Sequence, residues 1–180
     1  SRFLFKNIPS RDGAFICQNS WGTEFGEDGI FYVSYEDGNI GRNTIAYTDI
    51  EETDNYDHLY QTDLCGWVGQ LGYGDGTCYF ANIFQAERDE RIEAVGFYSV
   101  GPDTEYSITV MDGEKDLSNA LLGEAVASGK MDNTGYYTVR LDRPVEMETQ
   151  KKYAVVIKIH TPGESYPVAT EYAADEATRE

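Results

Sequence analysis

Tyr153-Ala-Val-Val-Ile-Lys-Ile-His160 is the stretch on which the fold turns. Tyr153, Val155, Ile157 and Ile159 share one parity, and Lys158 and His160 fall on the other. Successive strand side chains point to opposite faces, so this period of two puts one face inward and one toward water. The rhythm recurs upstream. Tyr106, Ile108 and Val110 alternate with Ser107 and Thr109, and Tyr137, Val139 and Leu141 alternate with Thr138 and Arg140. Residues 79–85 and 92–100 are apolar and rich in strand formers. Gly101-Pro-Asp, Asp112-Gly, Asp132-Asn-Thr-Gly and Asp142-Arg-Pro read as the turns between strands. With almost no helical periodicity between them, these segments predict a mainly β fold, an antiparallel sandwich or barrel.

Composition agrees. The aromatic content is dominated by 14 Tyr and 8 Phe, residues that favour strands, and 18 Gly punctuate them. A formal net charge of −18 repels phosphate backbones and anionic membrane surfaces, so nucleic acid is not an expected partner. The charge mainly serves solubility. No segment reaches the roughly 18 apolar residues of a membrane span, and no signal peptide is read at Ser1, where the chain begins as if in mid-sequence.

Outward from this region, residues 13–18 and 30–35 read as short strands joined by a glycine-rich connection, and residues 44–48 as a third strand. Residues 49–63 hold the boundary, with 49–53 as an acidic connector between a segment at 1–48 and a β-module at 54–180. Residues 169–180 have helix-forming composition at a terminus that tends to fray. Of the three cysteines, Cys65 and Cys78 lie across a glycine-rich loop that a disulfide could close, and two free thiols fit equally well. The number and spacing of the cysteines do not suggest zinc.

Asn19-Ser20-Trp21-Gly22, then Phe25-Gly26, then Gly29 before an aromatic strand, follow one another in a specific order. Over about 35 residues this order resembles the C-terminal active-site segment of the papain family of cysteine peptidases, with Phe25 where that family usually has Trp. The family pairs a thiolate with an imidazolium, and a neutral amide oxygen holds the imidazole in orientation. By resemblance, Asn19 is that amide, and Trp21 shields the Asn–His bond from water. The family's nucleophile stretch is absent, and Cys17 sits inside a strand as a packing residue. His58 and His160 both follow Asn19, the wrong order for the family base. The resemblance therefore implies a fragment that is inactive alone. An N-terminal piece carrying Cys and His is its expected partner, and peptides or proteins are the parent enzyme's substrates.

Tyr79-Phe-Ala-Asn-Ile-Phe84, Glu93-Ala-Val-Gly-Phe-Tyr98, Thr104-Glu-Tyr-Ser-Ile-Thr-Val110, Gly135-Tyr-Tyr-Thr-Val-Arg-Leu141 and Tyr153-Ala-Val-Val-Ile-Lys158 are similar to the lectin-like domain that follows papain-like peptidase domains in some bacterial surface or secreted proteins. The resemblance implies a jelly-roll-like sandwich, preceded here by the last strands of a papain-like half-domain. It also implies a secreted or cell-surface location and an accessory role, either in binding glycan or cell wall or in bracing the peptidase. Tyr60, Trp67, Tyr73 and Tyr79, with Asp63, Gln70 and Asp75, fall in one glycine-rich region and are read either as carbohydrate contacts or, for Trp67 and Tyr79, as core or interdomain packing with the glycines shaping turns. Asp54, Asn55 and Asp57, or Asp75, are read as oxygen ligands for a structural Ca²⁺, although no EF-hand spacing is present.

Overall fold

The computed structural model describes residues 10–42, 44–62, 65–117 and 123–172. The chain divides into two compact units, Ser1–Asp57 and His58–Glu180.

In the first unit, β1 (Ala14–Gln18) pairs antiparallel with β2 (Ile30–Ser34), Ala14 opposite Ser34 and Gln18 opposite Ile30. Alternation puts Phe15, Cys17, Phe31 and Val33 on one face and Ile16 and Tyr32 on the other. Both faces are apolar, and two strands cannot cover each other. Ile16 is left 73% exposed, with Phe15 and Tyr32 about half exposed. Residues 44–48 are not a strand. They pair with no neighbour among the described residues, and Ile45 and Tyr47 stand in water at 81% and 85% exposure. Apolar alternation alone does not make a strand where no edge offers ladder hydrogen bonds.

The second unit is a two-layer sandwich. One layer is the antiparallel sheet β4 (Thr77–Gln85), β9 (Lys152–His160), β6 (Thr104–Asp112), β7 (Ala127–Met131), in that order. The other is the pair β5 (Glu90–Ser99) and β8 (Gly135–Met147), flanked by the short pair β3 (Gly69–Leu71) and β10 (Val168–Thr170). Inward residues of both layers form one core, among them Val95, Phe97, Ile108, Val139, Val155, Ile157 and Ile159. The expected fold class is therefore observed, and each long alternating stretch lies in a strand.

Two local readings need correction. Asp142-Arg-Pro is not a turn, because β8 runs straight through it. Ile92 pairs with Val145 but Ala94 pairs with Arg140, so β8 bulges there, and Pro144 sits where no ladder donor is needed. In the bulge the Asp142 N–H donates to the Val126 carbonyl at 2.9 Å, and Val126 N–H donates to Ile108 at 2.8 Å. Through these bonds β8 reaches from one layer to the edge of the other. The second is that Ala169 and Thr170 lie in β10 rather than in a helical tail, and residues 173–180 lie outside the described residues. β3, β7 and β10 are too short or too irregular to show a period of two. Of the two alternatives for Cys65 and Cys78, the structure has no disulfide, with Cys78 buried in the core and Cys65 exposed.

Ser99, Thr104 and Thr161 are polar yet fully buried. Thr104 Oγ1 lies 2.8 Å from both Ser99 Oγ and Thr161 Oγ1 and 3.0 Å from the Gly101 carbonyl, and Ser99 Oγ lies 2.7 Å from that carbonyl. The three hydroxyls satisfy one another, which is the condition for burying them.

Candidate functional site

In the first unit the loop from Asn19 to Gly29 folds back on itself. Gly22, Gly26 and Gly29 have φ of 91°, 70° and 86°, and a methyl at Gly26 would overlap the Ile30 carbonyl, so glycine is required there. The closure brings the Gly29 carbonyl to Asn19, where it accepts from the backbone N–H at 3.0 Å and from Nδ2 at 3.1 Å. Asn19 Oδ1 accepts from the Trp21 N–H at 2.5 Å. Both ends of the amide are thus committed and its flip is fixed, while Oδ1 keeps a second lone pair for another donor. The Trp21 ring meets Phe25 edge-on at 5.2 Å, and Phe25 meets Phe31 at 5.6 Å. Trp21 itself is 77% exposed. Cys17 lies half-buried within β1.

In the second unit the residues read as carbohydrate contacts do not converge. The Tyr60 hydroxyl donates to the Glu90 carboxylate and accepts from the Glu87 N–H at 3.0 Å. Burial and the Glu90 carboxylate push its pKa above the ordinary value. Tyr73 projects into water, and Asp75 Oδ1 caps its own turn by accepting from Thr77 N–H at 2.8 Å. Tyr79 lies on the sheet's outer face beneath Lys158, whose Nζ is 5.7 Å from the ring centre. Gln70 is on β3, and Asp63 lies outside the described residues. No cluster of three His, Cys, Asp or Glu suited to a metal ion occurs among the described residues. Asn55 instead donates to Glu51. His58 lies 3.3 Å from Glu90 and 3.6 Å from Glu87, and His160 Nδ1 lies 2.9 Å from Thr77 Oγ1.

Tyr60 packs between His58 at 4.5 Å and Phe84 at 5.8 Å, and Trp67 joins a second ring arrangement. Its ring centre is 6.1 Å from that of Tyr98, which is 5.0 Å from Tyr136. Tyr98 and Tyr136 face each other across β5 and β8 on the layer's outer side. A methyl at Gly96 would overlap the Tyr136 hydroxyl, so the missing side chain lets that ring lie across β5. Beside the rings runs a groove of about 550 Å³. Phe80, Phe97 and Val168 contribute its apolar lining, and Thr62, Asn82 and Glu171 its polar groups. Tyr98, Tyr136, Asn82 and Glu171 escaped the sequence reading because three separate strand systems bring them together. The available signal was the Gly96 gap in an otherwise large-residue strand.

Residues 59–180 match the family model described as "Lectin like domain". The chain belongs to the lectin-like domain family. A search of proteins with curated descriptions finds no significant match. Among solved structures, the lectin-like chain is similar to the clostridial cysteine protease Cwp84 after propeptide cleavage. That similarity has a TM-score of 0.67 at 20% identity and covers 92% of this chain and 42% of that one. It is also similar to a structure of the cysteine protease and lectin-like domains of Cwp84, a surface layer associated protein of Clostridium difficile. There the TM-score is 0.62 at 23% identity, covering 96% of this chain and 38% of that one. The lectin-like chain therefore spans about two fifths of the length of these proteins.

Proposed function

We propose that this chain is the C-terminal portion of a bacterial surface-associated papain-like cysteine peptidase, in which Asn19 orients the catalytic imidazole and the lectin-like unit is an accessory module. The observation that carries this reading is the Asn19 amide, fixed by Gly29 on one side and the Trp21 N–H on the other. Its free lone pair is suited to accept an imidazole N–H, which holds the ring in one tautomer and supports the imidazolium beside a thiolate. Trp21 and its edge contact with Phe25 would shield that bond from water once the upstream part of the enzyme covers them. Similarity to protease structures over nearly the whole chain, the first unit included, supports the same reading.

The nucleophilic Cys and the His base belong upstream of Ser1, so residues 1–180 alone hydrolyse no peptide bond. The substrates are peptides or proteins, and the partner of the first unit is the upstream part of the enzyme. The lectin-like unit holds the enzyme to cell-wall glycans at the surface. The test restores the upstream sequence and follows thiol-dependent peptide cleavage and labelling by an epoxide thiol probe. Asn19→Ala is expected to lower kcat at least about tenfold, part of the roughly 10²–10⁴ that a positioned acid–base group contributes. An intact, folded full-length protein that neither cleaves nor labels overturns the reading.

A further inference from the structure

We propose that the groove bounded by β4, β5 and β10, with the Trp67–Tyr98–Tyr136 rings at its side, binds a neutral saccharide chain. The proposal rests on the anchoring role given to the lectin-like unit and assigns that role a place.

The rings supply the first argument. A single tyrosine crossing a strand glycine would fill the gap over Gly96, and that packing requires neither Trp67 nor exposed ring surface. Here three rings follow one another, and the two outer ones, Trp67 and Tyr136, remain 39% and 56% exposed. Aromatic faces left in water beside a groove offer flat, negatively polarised surfaces, and the C–H faces of pyranose rings complement them. The half-buried Tyr98 between them fixes their spacing.

The polar groups supply the second argument. Glu171 is part-buried, and its Oε1 accepts from the Cys65 N–H at 2.7 Å, which leaves Oε2 as an acceptor for hydroxyl donors. Asn82 Nδ2 lies 3.3 Å from Thr62 Oγ1, and its amide oxygen remains an acceptor. An apolar lining with a few placed polar groups characterises small-ligand sites. The charge chooses among saccharides: a carboxylate in the groove of a chain with net charge −18 repels uronic acids and phosphate-bearing polymers.

The test uses residues 1–180 with Trp21→Phe, so that fluorescence reports Trp67 alone. Cellotetraose, mannotetraose and chitotetraose are titrated to about 10 mM, which reaches binding as weak as about 1 mM. At least one sugar is expected to shift the Trp67 emission and the amide resonances of residues 96–98 and 168–171. Tyr136→Ala, read by those resonances, and Trp67→Ala should each weaken binding about threefold to tenfold, the range of one aromatic contact. Glu171→Gln and Asn82→Ala, which remove no ring, should weaken it as well and serve if Tyr136→Ala fails to fold. Tyr79→Ala, on an aromatic outside the groove, should bind as the parent does. Absence of binding by all three sugars, or unchanged affinity in the groove variants, overturns the site. Sedimentation with purified cell walls separates the site from the role beneath it. Groove variants that sediment like the parent overturn the groove alone, whereas a parent chain that stays in solution overturns the anchoring role.

Discussion

Thr104 shows what a single buried oxygen can decide. Its hydroxyl lies between those of Ser99 and Thr161 in a region without solvent access. Thr104→Val keeps the shape but takes away the partner of the buried Thr161 hydroxyl, while Ser99 keeps the Gly101 carbonyl, and the expected loss is about 1–3 kcal/mol, read by urea denaturation. Replacing all three hydroxyls together should do less harm than the sum of the single changes, because no orphan is left. Tyr60 responds to pH at the opposite end of the scale. Its folded pKa is raised above the ordinary 10.0, chiefly by burial and then by the Glu90 bond. The stability it contributes is therefore present below pH 10 and is lost as the pH rises through the folded value. An alkaline melt of the parent should show this extra loss, and Tyr60→Phe should flatten it. In the first unit Asn19 and Trp21 stand out in the sequence by a specific order of neighbours. The commitment of the amide to Gly29 was not legible, because it depends on loop closure through three positive-φ glycines.

Among elements, legibility followed the number of consecutive alternating residues. β9, β6 and the first half of β8 announce themselves because one parity of each is apolar and packs into the core, although β9 also buries Ala154 and Val156 on its other face. The continuation of β8 through Pro144 was hidden, since proline ordinarily ends a strand and only a bulge accommodates it. β3 and β10 owe their pairing to each other, and neither three-residue segment carries a pattern of its own. Leu71 of β3 and Val168 to Thr170 of β10 line one side of the groove, so that side could not be read from the sequence. The turn after β4 offers a test at this scale. Asp89 Oδ1 accepts from both the Thr149 N–H and its hydroxyl at 2.8 Å, tying the β4–β5 turn to the β8–β9 turn. These bonds hold the Asp89 carboxyl below its ordinary range, so their contribution is present above pH 3.8 and lost as the pH falls through the folded value. Asp89→Ala should lower Tm at pH 7 and lose most of that difference in strong acid, as scanning calorimetry would show.

Across the whole molecule, the two units differ in how much of their apolar surface they bury. The lectin-like unit closes its own core between two layers. The β1–β2 ribbon buries neither of its faces fully. Residues 58–180 expressed alone are therefore expected to unfold in one cooperative transition, with a midpoint within a few degrees of that transition in the full chain. Residues 10–57 alone are expected to lack dispersed amide resonances, since an isolated two-stranded ribbon is marginal in water. A folded, monomeric 10–57 peptide would contradict this. The same imbalance explains why the sandwich was readable from one stretch while the first unit was readable only by motif. A two-stranded ribbon that leaves both faces exposed carries no one-sided burial pattern to read.

The ladder between β4 and β9 also sets a clock. Thr77 contacts His160, 83 positions later, and the intervening β5 to β8 do not supply β4 with an alternative ladder partner. At synthesis rates of roughly 5–20 residues per second, β4 waits on the order of 4–16 s for its neighbour to emerge. Loop closure over such distances then places folding in the millisecond-to-second regime of non-local β proteins. A ribosome-arrested chain ending at residue 150 should accordingly remain cleavable by protease within residues 77–85, and completion of β9 should abolish that cleavage.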